Sequence, residues 1–145
     1  MSSSKTAPPA GARRILIVDD NVDSAQSLAM LLGMSGYETH TAHDGVAALR
    51  CAEQLLPDAV LLDIGLPGQN GYEVCRRIRQ QPWGKHMVLI ALTGWGQDAD
   101  RQQAEQAGFD THIVKPVDFE ALLRMLESLL ARTPGPGASE CDDPA

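Results

Sequence analysis

Residues 14–19 read RILIVD, a run of four apolar residues that ends in an aspartate. Two further stretches are also continuous apolar runs that end in a polar residue, AVLLD at residues 59–63 and MVLIALT at residues 87–93. Short continuous apolar runs are typical of strands that are buried on both faces of a parallel sheet. The three stretches therefore predict the central strands of such a sheet.

Two more polar stretches have the composition of edge strands. They are YETHTA at residues 37–42 and THIVK at residues 111–115. Strands that alternate with helices through short connections predict an α/β fold, in which a doubly wound five-stranded parallel sheet carries helices on both faces. The helical patterns span residues 22–34, 45–56, 72–80, 98–107 and 118–131, with Asp44 and Asp118 as N-caps of the second and the last.

Length and composition indicate one globular domain between two polar tails. The chain has 145 residues, of which 43% are hydrophobic. We predict a folded domain over residues 13–132 and flexible tails over residues 1–12 and 133–145, where Ser, Pro, Gly and acidic residues show no apolar periodicity. Three widely spaced cysteines match neither a disulfide framework nor a zinc site, and they suit a reducing, cytoplasmic location.

The acidic charge and the short apolar runs of the chain argue against nucleic acid and membranes as partners. A net charge of −7 disfavours binding to nucleic acid or to an anionic membrane. No apolar run approaches the ~18 residues that a membrane span requires. The one short basic run, Arg76, Arg77 and Arg79 in the third helix, is predicted to be a solvated face.

Reactive side chains stand at the carboxyl ends of four predicted strands, whereas the second strand ends in His43, to which we assign no role. Ligands of doubly wound sheets bind at this edge, so the side chains are expected to meet there. They are Asp19 and Asp20 after the first strand, Asp63 after the third, Thr93 after the fourth and Lys115 after the fifth.

The alternative is that each residue serves only its own segment. Asp20 or Asn21 could cap the first helix, and Asp63 could open a turn. This explanation suffices for any one of them. It becomes weak for five side chains that all stand at the same sheet edge.

Three clustered carboxylates predict a divalent cation, because they repel one another without one. Mg²⁺ typically binds one or two carboxylates together with water and phosphate oxygens. Lys115 is a fixed cation beside this site and indicates an anionic guest such as phosphate, to which Thr93 can donate a hydrogen bond. Asp63 is the best candidate for a nucleophile that forms an aspartyl phosphate, because a loop rich in Gly and Pro, IGLPGQNG, follows it.

Four motifs, in this order and at these spacings, resemble the receiver domain of two-component response regulators. They are VDDN at residues 18–21, LLDIGLPGQNGYEV at 61–74, ALTG at 91–94 and VKP at 114–116. The resemblance covers residues 13–132 and is strongest to receivers that are attached to, or work with, hybrid sensor histidine kinases. It implies a flavodoxin-like sheet of five βα units with the strand order 2-1-3-4-5.

The resemblance implies a role for each acidic residue. Asp63 corresponds to the phosphoacceptor. Asp19 and Asp20 correspond to the acidic pair that organises Mg²⁺, with Asp20 the more direct ligand. Asp63 and the backbone carbonyl of Gly65 complete the implied set of metal ligands.

The resemblance also implies roles for the residues that respond to phosphorylation. Thr93 corresponds to the hydroxyl that turns toward the phosphoryl group, and Lys115 to the lysine that pairs with that group. The bond between Lys115 and Pro116 is typically cis in the family. Many receivers have Tyr or Phe where this chain has His112, which is either a pH-sensitive switch candidate or simply an edge-strand residue.

The implied function is a phosphorylation-dependent switch rather than an enzyme with an external substrate. A histidine kinase or a histidine phosphotransfer protein is expected to phosphorylate it, and slow hydrolysis of the acyl phosphate to reset it. A downstream protein partner is expected to bind the face of the fourth helix, fifth strand and fifth helix. We expect no output domain among the 13 residues after residue 132.

Two other functions remain open at this point. A Mg²⁺-dependent phosphohydrolase would also use Asp63 as nucleophile, but such enzymes usually have D-x-D on the first strand and a cap domain. An interaction module that never uses phosphate would lack a site residue, and none is missing here.

Overall fold

The computed structural model describes residues 13–65, 70–94 and 101–131, apart from the side chains of residues 101–103. Both predicted tails, residues 66–69 of the loop after Asp63, and the predicted start of the fourth helix at Asp98 lie outside the described residues. The strands are β1 (Arg14–Val18), β2 (Glu38–Ala42), β3 (Ala59–Asp63), β4 (Val88–Thr93) and β5 (Thr111–Val114). The helices are α1 (Val22–Met34), α2 (Gly45–Leu55), α3 (Gly71–Gln80), α4 (Arg101–Ala107) and α5 (Phe119–Leu130), with a short 3-10 helix at Pro82–Gly84.

The five strands form one parallel sheet in the order β2-β1-β3-β4-β5, which confirms the predicted fold. The apolar strands β1, β3 and β4 occupy the centre, and the more polar β2 and β5 are the edges. The register pairs Val18 with Leu62, and Asp63 with Leu92. The central strands therefore end at nearly the same level, which is what brings their last residues together.

Alternate residues of the central strands face two separate hydrophobic layers. Leu16 and Leu62 pack with α2, α3 and α4 on one side of the sheet. Ile17 and Leu61 pack with α1 and α5 on the other. Because both faces are covered, β1, β3 and β4 need continuous apolar runs, and this explains the pattern in the sequence.

Side-chain caps set where the helices begin. Asp44 accepts a hydrogen bond from the backbone N–H of Ala47 at 2.8 Å, and Asp118 caps α5 in the same way. Helix α2 ends one residue earlier than predicted, since Leu56 adopts a left-handed conformation ahead of Pro57. That is expected, because proline disfavours helical geometry in the residue before it. None of the helices within the described residues is long and apolar enough to cross a membrane.

Candidate functional site

Four strand ends supply charged or hydroxyl side chains to one edge of the sheet. Asp63 and Thr93 are the last residues of β3 and β4, and both are buried. Asp19 follows β1 directly and is only 3% exposed. Asp20 is exposed, and Lys115 follows β5 with its side chain half-buried. Strand ends on a packed sheet hold these residues with little freedom, so their mutual distances are well defined.

Lys115 joins two of the carboxylates. Its Nζ donates hydrogen bonds to Oδ2 of Asp63 at 2.8 Å and to Oδ2 of Asp19 at 3.3 Å. Oxygens of Asp19, Asp20 and Asp63 all lie within 4.8 Å of one another. The predicted meeting of the three acids and the lysine is therefore what the structure shows.

The environment of Lys115 keeps its side chain charged. Burial lowers the pKa of Lys115, but the hydrogen bonds and negative charges of Asp63 and Asp19 outweigh it and raise the pKa above its ordinary value. At neutral pH the site therefore holds one fixed ammonium.

Asp19 and Asp63 use their second oxygens to close turns. Oδ1 of Asp19 accepts from the backbone N–H of Asn21 at 3.0 Å, and Oδ1 of Asp63 accepts from Gly65 at 2.8 Å. Asn21, not Asp20, caps α1. The alternative that Asp63 only opens a turn is thus partly right, because one of its oxygens makes a turn contact. Its other oxygen faces the cluster and contacts Lys115.

Thr93 lies at the same edge with its hydroxyl directed at β5. Oγ1 donates a long hydrogen bond of 3.5 Å to the carbonyl of Ile113. The Lys115–Pro116 peptide bond is cis, as the resemblance implied. The register places the half-buried His112 beside Ala91 rather than beside Thr93. Its role as a switch stays a prediction.

Sequence reasoning gave no role to His43, yet this residue contacts the acidic cluster. Nδ1 of His43 lies 3.0 Å from the backbone carbonyl oxygen of Asp19. Its position at the carboxyl end of the second strand was the available signal, because every other strand end supplies a residue to this edge.

The prediction for the basic run is wrong at one position. Arg76 and Arg77 are exposed and pair with Glu73, as a solvated face requires. Arg79 instead is largely buried and forms what we call the Arg79 network. The guanidinium donates to Gly108 O, Gly84 O, Lys85 O, Met87 O and the Asp110 carboxylate, at 2.7–3.2 Å.

The donor set at the carboxyl edge fits Mg²⁺. Among the residues that the structure describes, Asp19, Asp20 and Asp63 are the one group of three or more side chains arranged to hold a metal ion. All three offer oxygen, which a hard divalent cation prefers. Two of them are buried and one is exposed, so a bound cation could keep contact with water.

The family model of the response regulator receiver domain matches residues 15–127. The chain belongs to this family. It is a receiver of the kind found in two-component signalling, where such domains interact with histidine kinases and downstream partners and bind Mg²⁺ in the acidic pocket. The likeness to the family, implied by four short motifs, is confirmed.

Curated relatives are longer proteins that contain a similar receiver. The transcriptional regulator RpaA of Synechocystis, described as DNA-binding, is 37% identical over 120 residues, which are 83% of this chain and 50% of that protein. The response regulator MprA of Mycobacterium bovis is 38% identical over 88% of this chain and 54% of its own length. The chain thus spans about half the length of these relatives.

Solved structures share the fold over their whole length. A response regulator from Chloroflexus aurantiacus superposes with a TM-score of 0.79 at 35% identity, covering 83% of this chain and 99% of that one. The receiver of the sensor histidine kinase PA1611 from Pseudomonas aeruginosa gives 0.75 at 34% identity, covering 83% and 98%. That structure has a magnesium ion coordinated in its active site cleft.

Proposed function

We propose that this receiver accepts a phosphoryl group on Asp63 from a histidine kinase or a histidine phosphotransfer protein. The observation that carries the proposal is the contact of Lys115 Nζ with Asp63 Oδ2 at 2.8 Å, inside a cluster of three carboxylates. One carboxylate thereby has an ammonium beside it and two acids that can share a cation. This is the charge arrangement that transfer of a phosphoryl group onto a carboxylate requires.

Each site residue has a defined part in the transfer. An oxygen of Asp63 attacks the phosphorus of a phosphohistidine in line, the P–N bond breaks, and the imidazole leaves on the donor protein. Lys115 moves its hydrogen bond from the carboxylate to a phosphoryl oxygen and offsets its charge. Asp19, Asp20, Asp63 and the carbonyl of Gly65 would hold Mg²⁺, which supplies further positive charge when bound.

Thr93 supplies the response to phosphorylation. Its hydroxyl donates a long hydrogen bond to the carbonyl of Ile113, and a hydrogen bond of this length costs little to break. The phosphoryl group is a stronger acceptor, so the hydroxyl turns toward it and the end of β4 adjusts. We propose that a downstream protein reads this change on the face made by α4, β5 and α5, next to Thr93.

The domain acts as a switch and not as an enzyme with an external substrate. Water hydrolyses the acyl phosphate slowly and resets it. We place it in the cytoplasm, in agreement with the free thiols of Cys51 and Cys75. The folded unit spans residues 13–132, with residues 1–12 and 133–145 as tails.

Phosphorylation with a small acyl phosphate and Mg²⁺ tests the assignment, with intact-mass measurement as readout. Wild type should gain one phosphoryl group that hydroxylamine removes, and Asp63→Asn should gain none. Asp58→Asn is the matched control, because Asp58 stands just before the opposite end of β3 and bonds the backbone of Arg14. Undiminished labelling of Asp63→Asn sinks the proposal. Steady turnover of a phosphomonoester would favour the phosphohydrolase instead.

A further inference from the structure

We propose that His43 is a positioning residue that fixes the peptide between Asp19 and Asp20 for cation binding. The inference rests on the proposed function, since it concerns the same acidic cluster. It assigns a role to a side chain that neither touches a phosphoryl group nor ligates the metal. His43 instead holds the backbone from which one metal-binding carboxylate extends.

The hydrogen bond has a definite direction. Nδ1 of His43 lies 3.0 Å from the carbonyl oxygen of Asp19. A carbonyl oxygen accepts and never donates, so the proton of this bond belongs to Nδ1. The imidazole is therefore held in the form that carries hydrogen on Nδ1.

The backbone on both sides of His43 is fixed. Ala42 ends β2, pairs with Val18 of β1, and accepts a hydrogen bond at 3.1 Å from the backbone N–H of Asp19. Asp44 caps α2 through Ala47. Consequently the connection between β2 and α2 holds both backbone polar groups of Asp19, its N–H through Ala42 and its carbonyl through His43.

Asp20 is the residue that depends on this arrangement. Its side chain is exposed, and within residues 13–65, 70–94 and 101–131 its carboxylate makes no hydrogen bond or ion pair. The backbone at Asp20, including the peptide that precedes it, therefore fixes only the Cα–Cβ bond from which this carboxylate reaches toward the cluster. Asp19 differs, because Lys115 and the N–H of Asn21 hold its carboxylate directly.

Mg²⁺ affinity of His43 variants, measured by isothermal titration calorimetry, tests the role. Groups that orient metal ligands typically change affinity by about 10–100-fold when removed, and a contact with the backbone belongs near the lower end. We expect about tenfold weaker binding in His43→Ala. His43→Asn should recover most of the loss, because the asparagine side-chain N–H₂ occupies nearly the position of Nδ1–H.

His40→Ala is the matched control. His40 lies on β2, is also half-buried, and also makes one ring-nitrogen contact, with Glu38 at 2.8 Å. That contact is away from Asp19, so Mg²⁺ affinity should stay within about twofold of wild type. Thermal denaturation without Mg²⁺ shows whether both alanine variants are folded.

The tautomer of His43 in the metal-free wild type is a second readout that needs no variant. A long-range ¹H–¹⁵N correlation spectrum should show hydrogen on Nδ1, and hydrogen on Nε2 alone would overturn the inference. Equal Mg²⁺ affinity of wild type and a folded His43→Ala would overturn it while leaving the proposed function intact. A wild type that binds no Mg²⁺ would overturn both.

Discussion

The acidic cluster lies at the carboxyl edge of the sheet, and the Arg79 network lies at the opposite edge, where β4 and β5 begin. Both regions hold charged side chains in partly buried surroundings, but they balance the charges differently. In the network, one guanidinium faces one carboxylate, Asp110, and its remaining donors go to backbone carbonyls. In the cluster, one ammonium faces three carboxylates, which leaves a formal surplus of two negative charges.

The difference separates structure from function. A network in which donors and acceptors are matched contributes to the stability of the fold and offers nothing to a ligand. A cluster with surplus charge of one sign destabilises the fold until a counter-ion binds, so such a cluster is a candidate binding site. Four experiments test whether the two regions differ in this way.

Arg79→Ala should give the largest effect, a loss of about 3 kcal/mol in the free energy of unfolding, because several backbone carbonyls lose a charged donor. Removal of the guanidinium takes this donor from the carbonyls of Gly108 and Met87, and it leaves Asp110 with the N–H of Leu89. Urea denaturation measures it. The control is Arg77→Ala, because Arg77 is exposed and forms a surface ion pair with Glu73, so we expect a loss of under about 1 kcal/mol. Equal losses in the two variants would contradict a structural role for the network.

Mg²⁺ should stabilise the wild type at the cluster. Binding to the folded state alone adds about 2.7 kcal/mol when free Mg²⁺ is about 100 times its dissociation constant. Asp20→Ala, which removes an exposed carboxylate of the proposed metal site without disturbing the core, should show much less stabilisation. Thermal denaturation over a series of Mg²⁺ concentrations gives the comparison. A stabilisation of Asp20→Ala as large as that of wild type would place the cation elsewhere.

Neutralising one acid should have opposite signs in the two regions. Without Mg²⁺, Asp20→Asn should stabilise the fold by about 1 kcal/mol, the repulsion of two unit charges at this separation in water. Asp110→Asn should destabilise it by a similar amount, since the Asp110 carboxylate accepts from Arg79 and from the N–H of Leu89. Denaturant unfolding measures both changes in the free energy of unfolding. Changes of the same sign in the two variants would contradict the distinction between the regions.

Alkaline pH should lower the free energy of unfolding, and the first group to contribute should be the buried thiol of Cys75 near the Arg79 network. Burial raises the pKa of Cys75, whose thiol bonds the carbonyl of Ala107, from 9.0 to about 12. Above pH 9 the unfolded chain loses this proton while the folded chain keeps it, so the free energy of unfolding falls, by under about 1 kcal/mol at pH 9.5. Lys115 has a raised pKa as well and contributes in the same direction only at higher pH.

Cys75→Ala measures the contribution of this thiol. The variant should show a flatter decline between pH 8 and pH 10 than the wild type. An unchanged slope would mean that another group titrates there.

The fold could be predicted almost completely because its signals are local. The strands β1, β3 and β4 are covered on both faces and therefore have continuous apolar runs, whereas the edge strands β2 and β5 are more polar. The caps Asp44 and Asp118 were recognisable from residue type and position. Several element ends differ from prediction by one residue, those of α2, β5 and α5 among them. At the end of α2 the left-handed backbone of Leu56 ahead of Pro57 decides, rather than the side-chain pattern.

The site could be predicted as far as its residues stand at strand ends. Asp19, Asp20, Asp63 and Lys115 meet because a parallel sheet aligns those ends. His43 and Arg79 escaped prediction because their roles depend on contacts with backbone carbonyls. Backbone groups are identical along a sequence, so no pattern of residue types marks such contacts.

The acids of the cluster and the lysine that pairs with them come from distant parts of the chain. Asp19 follows β1 and Asp63 ends the neighbouring strand β3, whereas Lys115 is 96 residues from Asp19 and follows β5 at the edge of the sheet. A chain that stopped before β5 would contain the three acids but not the ammonium that pairs with Asp19 and Asp63. The pairing of these acids with Lys115 therefore depends on β5 having joined the sheet, which is a contact between parts of the chain that are distant in sequence.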